Sequence, residues 1–337
     1  MRVCLYQEGK NALRFSGIGK SFENLSKALK FAGADFTTDP SDGPYDILHI
    51  NSLGLKSFYW LKKANRSGRK TIIHAHSTME DSRDSFIFSN ALAPLVKQIL
   101  KFFYRQTDLI ITVSNDTKNI LKNYGLKNRI EVLSNGVDRT IFNPQNLEKF
   151  RFSFRKELGL RNNELSILGI GHVFFRKGID TFIEIARHFP DYKFFWAGKK
   201  YSRWFVPDRR LHKAIVNAPS NFKFLGYRKD IWNLFAAGDI FLYPSRNETQ
   251  GMVIIEAAAS GKTILARDLP PYKDFLKNEE NALLAKDKKE FIDLLEKLLK
   301  DEKLRNRLAQ NAIKMSEEHD LPIIGQKLKK IYESLLI

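Results

Sequence analysis

Cysteine is almost absent from the sequence. Cys4 is the only one among 337 residues, so no disulfide can close within the chain and a reducing, cytoplasmic setting is expected. Long apolar runs are missing too, and none approaches the ~18–20 residues a membrane-crossing helix needs. The opening residues, MRVCLYQEGK, lack the apolar centre of a secretory leader and read directly as a strand. Negative charge is scarce: 38 acidic side chains face 56 basic ones, a net charge of +18. Such an excess attracts polyanions, whether nucleic acid, anionic lipid or phosphorylated substrates, without choosing among them. A lysine-rich composition that serves only solubility accounts for it as well.

What is present suits an ordinary globular protein, with 43% hydrophobic and 28% charged residues. The length exceeds one compact core and predicts two domains. In the first half, apolar strand-like runs at 2–6, 46–50, 70–74, 109–113 and 130–133 alternate with helical stretches at 21–33, 56–66, 91–104 and 115–124. Residues 135–155 break the rhythm and read as a linker. The pattern restarts with strands at 165–170, 192–196, 222–225, 240–243 and 263–266, and helices at 178–188, 231–237 and 253–260. Strands alternating with helices predict parallel α/β sheets. The expectation is two doubly wound domains, residues 1–150 and 151–337, with the final helix able to cross back to the first. Ligands of such sheets bind beyond the carboxyl ends of the strands.

The chemically richest stretch is residues 245–262, SRNETQGMVIIEAAASGK. A polar loop leads into a helix opening near Gly251 and Met252. A helix start offers unpaired N–H groups and the positive end of a dipole, which suit a phosphate. Gly251 permits close approach of that phosphate to the backbone. Glu248, before the helix, is suited to accept from sugar hydroxyls, and Glu256, one turn inside it, from a ribose. The alternative is a solvated loop carboxylate at Glu248 and a surface residue at Glu256. The second fits poorly, because the residues around Glu256 are nearly all apolar. Arg176 and Lys177 stand at another helix start, where cations oppose the dipole unless an anion is near. His74 and His76 end a strand, and their alternation reads as one ring inward and one toward the opposite face. A metal site built from His74, His76, Glu80 and Asp81 is a weaker alternative.

The E-x7-E spacing of Glu248 and Glu256, with Pro244-Ser245 before and Ala257-Ala-Ala-Ser-Gly261 after, resembles the donor-site signature of retaining glycosyltransferase family 4. Gly17-Ile-Gly19 resembles that family's glycine loop. Residues 132–138, VLSNGVD, with Phe142 and Pro144, resemble its inter-domain segment. Phe224-Leu-Gly226 and Ala237-Gly-Asp239 resemble the segments flanking its base pocket. The resemblance covers nearly the whole chain and implies the GT-B fold, two Rossmann-like domains, with a UDP-sugar as donor substrate, no cofactor and no obligatory metal. It implies catalytic roles for His76, Lys177 and Glu248. Glu248 would hold the hexose, Glu256 the ribose, and Gly251 with Met252 the diphosphate, with Gly17, Gly19 and Arg176 also on the donor. His172 stands where the family places an arginine. No carboxylate nucleophile with an acid partner about 5 Å away is evident, so front-face transfer is expected in place of double displacement.

The first half carries basic helices with aromatics, notably around Trp60 and at residues 95–105, where Lys97, Lys101 and Arg105 share a stripe. Such helices bind anionic membrane surfaces, although packing against a core explains any one of them. Residues 1–10, 16–20, 37–52 and 74–90 and the phrase ARDLPPYKDFL resemble the bacterial diglucosyl- and galactosylglucosyl-diacylglycerol synthases. That resemblance implies transfer of an α-linked glucose or galactose to monoglucosyl-diacylglycerol, on the inner face of the cell membrane. Asp81 and Arg83 are then candidates for gripping the acceptor sugar. A family member with a soluble or polysaccharide acceptor is the alternative. A nucleic-acid binder is not expected, since no groove-reading motif is present.

Overall fold

The computed structural model describes residues 1–82, 89–202, 204, 206 and 208–337. The chain forms two compact units. The first comprises Met1–Asp81, Ala91–Val137 and Glu318–Ile337, and the body of the second is Asp138–Glu317.

The first unit is built on a six-stranded parallel sheet: β1 (Arg2–Tyr6), β2 (Asp35–Thr37), β3 (Ile47–Ile50), β4 (Lys70–Ala75), β5 (Leu109–Thr112) and β6 (Arg129–Val132). Their order is β2-β1-β3-β4-β5-β6. The central strands are buried throughout, as strands covered on both faces must be. One face packs Leu25, Ala28 and Leu29 of helix Gly17–Phe31 with Leu321, Ile324 and Leu328 of helix Leu321–Leu336. The other packs Leu61 and Ala64 of helix Leu55–Arg66 with Leu100, Phe103 and Tyr104 of helix Ser89–Tyr104. Cys4 is buried here, and burial pushes its thiol up to about 12, so it behaves as an inert apolar group.

The second unit repeats the plan with β7 (Ser166–Ile170), β8 (Lys193–Ala197), β9 (Phe222–Gly226), β10 (Ile240–Tyr243), β11 (Thr263–Arg267) and β12 (Leu283–Ala285). All pairs are parallel, in the order β12-β11-β10-β7-β8-β9. The direction of winding reverses between β7 and β10. Phe182, Phe194 and Trp196 anchor the core on one face.

The segment expected as a linker at 135–155 is largely structured. Asn143 caps helix Pro144–Leu158 by accepting from Asn146 N, Pro144 occupies its first turn, and Gly159 ends it. Its Arg155 is 1% exposed and meets Asp239 at 3.2 Å, while Arg151 meets the same carboxylate at 2.6 Å. Asp239 also accepts from Ser166 N at 2.9 Å and Ser166 Oγ at 3.0 Å. Its carboxylate thus locks this helix to the start of β7.

Candidate active site

Open α/β sheets bind ligands where the winding reverses. In the second unit the loops after β7 and β10 meet there, and they carry the residues singled out from sequence. Lys177 Nζ donates to Glu248 Oε1 at 2.5 Å and to Tyr243 Oη at 3.1 Å. Tyr243 Oη donates to the same carboxylate oxygen at 2.5 Å, and Ser245 Oγ does so at 2.8 Å. Glu248 is only 8% exposed, so the solvated-loop alternative fails. Burial alone would push its carboxyl up; the Lys177 ammonium and Arg176 outweigh that and hold it below the ordinary carboxylate value. Burial and the Glu248 charge push the Tyr243 phenol well up, so it stays a donor. Three donors converge on Oε1, and among the described residues none donates to Oε2. The carboxylate is therefore charged and held by one oxygen, with the other available for a ligand hydroxyl.

Arg176 Nη1 donates to Asn247 O at 3.4 Å, and its charge is felt at Glu248. His172, in the position where an arginine was expected, accepts from Lys199 N at 3.2 Å and packs edge-on against Tyr201. Its ring braces the loop. Arg246 escaped the sequence reading: it meets Asp180 at 2.7 Å and donates to Phe175 O at 2.6 Å, pinning the turn that carries Lys177. Tyr243 was missed because it reads as the last apolar residue of a strand.

Helix Met252–Ala259 opens at Gly251, whose φ is +79° and which carries no capping side chain. Glycine tolerates this left-handed backbone, and a Cβ there would come within 3.0 Å of the Tyr272 ring. Glu256 is 5% exposed and lies between the buried Ile255 and Ala257, so it is not a surface residue.

The other expected residues lie in the first unit. Gly17 and Gly19 do not form a loop. They begin helix Gly17–Phe31, capped by Ser16, whose Oγ accepts from Gly19 N at 3.2 Å. A Cβ on Gly19 would sit 2.2 Å from Leu13 O, so close packing on the preceding turn accounts for this glycine. His74 and His76 do not point to opposite faces. Residues two apart on a strand share a side, and their rings stack at 4.2 Å, with His49 stacked on His74 at 5.4 Å. His49 Nδ1 lies 2.7 Å from Tyr332 Oη at the far end. At the near end, Asn51 Nδ2 donates to Gln7 Oε1 and Ile18 O, which turns Asn51 Oδ1 toward His76 Nε2 at 2.8 Å. His76 must then carry its proton on Nε2, leaving Nδ1 as an acceptor. Burial pushes His49 and His76 down to about 3, and His74 is also well below its ordinary value, so the column is neutral.

The carboxylates after His76 are committed locally. Tyr124 donates to Glu80 at 2.6 Å, and Asp81 accepts from Thr78 N and Oγ1, both at 3.0 Å. This capping role competes with acceptor binding by Asp81. Arg83 lies outside the described residues.

A groove of about 550 Å³ opens at the carboxyl ends of β1 and β2, lined by Tyr6, Lys10, Asp39 and Trp60 among others. The basic stripe is less open than expected. Lys97 lies over the Tyr124 ring at 4.6 Å, and Lys101 is half-buried, while Arg105 is exposed. Apolar side chains are more open: Leu55 is 88% exposed, and Tyr59, Leu95, Ile99 and Phe102 are each about half exposed. The Phe58 and Phe102 rings, 5.4 Å apart, join the two helices that bear them. No helix among the described residues is long and apolar enough to cross a membrane.

Residues 13–140 match the model of Glycosyltransferase Family 4, and residues 150–315 match that of Glycosyl transferases group 1. The processive diacylglycerol alpha-glucosyltransferase of Acholeplasma laidlawii is 33% identical over 344 residues, covering 100% of this chain and 99% of the relative. The alpha-galactosylglucosyldiacylglycerol synthase of Streptococcus pneumoniae is 29% identical, covering 91% of this chain and 84% of its own. Among solved structures, Anabaena HepE in complex with UDP and glucose is similar with a TM-score of 0.75 at 19% identity, over 99% of each chain. The sucrose-phosphate synthase of Thermosynechococcus elongatus reaches a TM-score of 0.81 at 17% identity, over 100% of this chain and 99% of that one. With two such sheets and these matches, the chain is a glycosyltransferase of the GT-B fold and belongs to glycosyltransferase family 4.

Proposed function

We propose that the protein transfers an α-glucose or α-galactose from a UDP-sugar, with retention, to a diacylglycerol glycolipid, with monoglucosyl-diacylglycerol as acceptor. The Lys177–Tyr243–Glu248 cluster at the winding reversal is the observation that supports this reading most. Glu248 Oε2 takes hexose hydroxyls, while Gly251 and Met252 present the helix start to the diphosphate. Lys177 and Arg176 neutralise the charge that develops on the leaving diphosphate. Retention then proceeds at the front face: the leaving oxygen takes the acceptor's proton as the new bond forms. His76, neutral and held by Asn51, serves the donor sugar. No metal is assigned to the site. The two diacylglycerol-directed relatives support the lipid acceptor. The groove beside Trp60 suits its sugar headgroup, with the indole as a platform for a sugar ring. Radiolabelled UDP-glucose and UDP-galactose, each supplied with diacylglycerol and with its monoglucoside, test the reading. Labelled lipid from one donor–acceptor pair is expected, and none from any pair would end it.

Glu256→Ala is expected to weaken UDP-sugar binding about tenfold or more, the value of a charge-assisted hydrogen bond. Calorimetry giving unchanged affinity would remove Glu256 from the ribose.

The enzyme is proposed to work on the anionic surface of the inner membrane leaflet. Here the exposed Leu55, Leu95, Ile99 and Phe102 carry more of the binding than the lysines, because open apolar side chains on two helices joined through Phe58 and Phe102 suit an interfacial contact. Leu95→Glu combined with Ile99→Glu is expected to cut co-sedimentation with phosphatidylglycerol vesicles several-fold without lowering the melting temperature. Undiminished sedimentation would return the acceptor to solution.

A further inference from the structure

Tyr272 has no part in the cluster described above, yet its hydroxyl is the most conspicuous polar group beside it. The residue sits in a tight turn, Pro270–Asp274, directly after β11. That strand neighbours β10, so the turn emerges next to the loop carrying Glu248. Tyr272 is 0% exposed, and its Oη has no hydrogen-bond partner among the described residues. Buried hydroxyls without partners are rare, because nothing replaces the lost water, and each calls for an explanation. Relaxation of the side chain is not an easy one. Pro270 and Pro271 stiffen the turn, Tyr272 N donates to Leu269 O at 3.1 Å, and Tyr272 O accepts from Phe275 N at 3.0 Å and from Leu276 N. The ring also packs against Phe275 at 5.9 Å.

The direction of the hydroxyl is informative. A Cβ built on Gly251 would lie 3.0 Å from Tyr272 Cε1 and 3.4 Å from Oη. The phenol tip therefore lies against the residue that opens helix Met252–Ala259. That helix start has no side-chain cap. Two independent observations meet at one point: an uncapped helix start and a sealed hydroxyl aimed at it. Burial, with the charges of Glu248 and Tyr243, keeps the phenol protonated at any working pH. It can only donate to an anionic or hydroxyl oxygen brought in from outside.

We infer that the Tyr272 hydroxyl is a donor-binding group, giving its hydrogen bond to an oxygen of the hexosyl-diphosphate seated at Gly251 and Met252. The inference rests on the donor reading above and adds to it a residue that sits outside the Glu248–Glu256 stretch. It gives the phrase LPPYKDF a role, since a rigid turn is needed to hold the ring against a glycine. Whether the oxygen belongs to the diphosphate or to the hexose is decided by which ligands feel its loss.

Tyr272→Phe removes one atom and keeps the packing. The melting temperature is expected to stay the same or rise, because the atom removed has no partner in the fold. Titration with UDP-glucose or UDP-galactose, whichever donor wild-type protein binds, is expected to show about tenfold weaker binding. Weakening of UDP itself places the hydroxyl on the diphosphate; weakening confined to the UDP-hexose places it on the sugar. Wild-type affinity for both ligands overturns the inference, as does a lowered melting temperature with unchanged binding. Glu256→Ala run in parallel separates the two readings: if it weakens binding and Tyr272→Phe does not, the donor site stands and this residue leaves it. Wild-type protein that takes up neither UDP nor a UDP-hexose would sink both.

Discussion

Lys177→Ala is expected to lower kcat by roughly 10²–10³-fold, the usual cost of deleting one group that stabilises charge in a transition state. The expectation follows from where Lys177 sits. Its ammonium contacts Glu248 and Tyr243 at the winding reversal, so it is already desolvated and aimed, and needs little reorganisation when a diphosphate leaves. The substitution also removes a partner from a buried ion pair, which costs about 3–5 kcal/mol where no other cation compensates. Arg176, Tyr243 and Ser245 remain around Glu248, so the loss of stability should fall at the lower end. A second variant keeps the two effects apart. Lys177→Ala with Glu248→Gln removes the stranded charge and is expected to regain most of the melting temperature. Because Glu248 is itself proposed on the hexose, the double variant reports on stability alone, and turnover is read from the single variant assayed well below its melting temperature. Near-normal turnover in the single variant would pass the charge-neutralising role to Arg176.

Acidification is expected to unfold the first unit unusually early. His49 and His76 stay neutral in the fold down to about pH 3, and His74 titrates far below its ordinary value, mainly because burial disfavours the charged rings. In the unfolded chain the same rings titrate near 6.5. Above that pH neither state binds the proton and no stability is lost. Below it the unfolded state takes up protons that the folded state refuses, so stability falls as pH falls, down to about 3. Each such histidine costs about 1.4 kcal/mol per pH unit in that window. The partly open His76 contributes less than the sealed His49 and His74. Urea midpoints measured between pH 7.5 and 5 should drop steeply, ahead of the range where carboxylates titrate. His74→Phe, which keeps a stacked ring but cannot titrate, should flatten the slope. A midpoint constant across that range would show that the column admits protons freely.

Much of this architecture was readable from residue order. Ten of the twelve strands were, because a strand covered on both faces is a short, continuous apolar run such as ILHI or IFLY. The two that were not, β2 and β12, are three-residue edge strands, too short to show any pattern. Helix Pro144–Leu158 was hidden by its own start signals, since Asn143 and Pro144 read equally as turn residues. Its inward face holds Arg155 paired with Asp239, so the polar partner that makes it a helix lies far along the chain. Glu248 and Glu256, the carboxylates of the proposed donor site, could be singled out because they share one local stretch. Tyr243, Arg246 and Tyr272 could not, because their importance comes from contacts across loops. The stacking of His74 and His76 was available from strand periodicity alone, but the third ring, His49, comes from the neighbouring strand and needed the sheet register.

Helix Leu321–Leu336 closes one face of the first sheet, and its Tyr332 ends the histidine column. A ribosome building this chain therefore delivers the opening residues long before the piece that covers them. Most of the second unit lies in one unbroken segment, Asp138–Glu317, and can fold once that segment emerges. The first must wait, with the face made by Val3, Leu5 and Leu25 only partly covered, until residues 318–337 leave the exit tunnel. During that interval the nascent chain presents a sticky, half-finished sheet. Holding chaperones should therefore act on its N-terminal part late in synthesis.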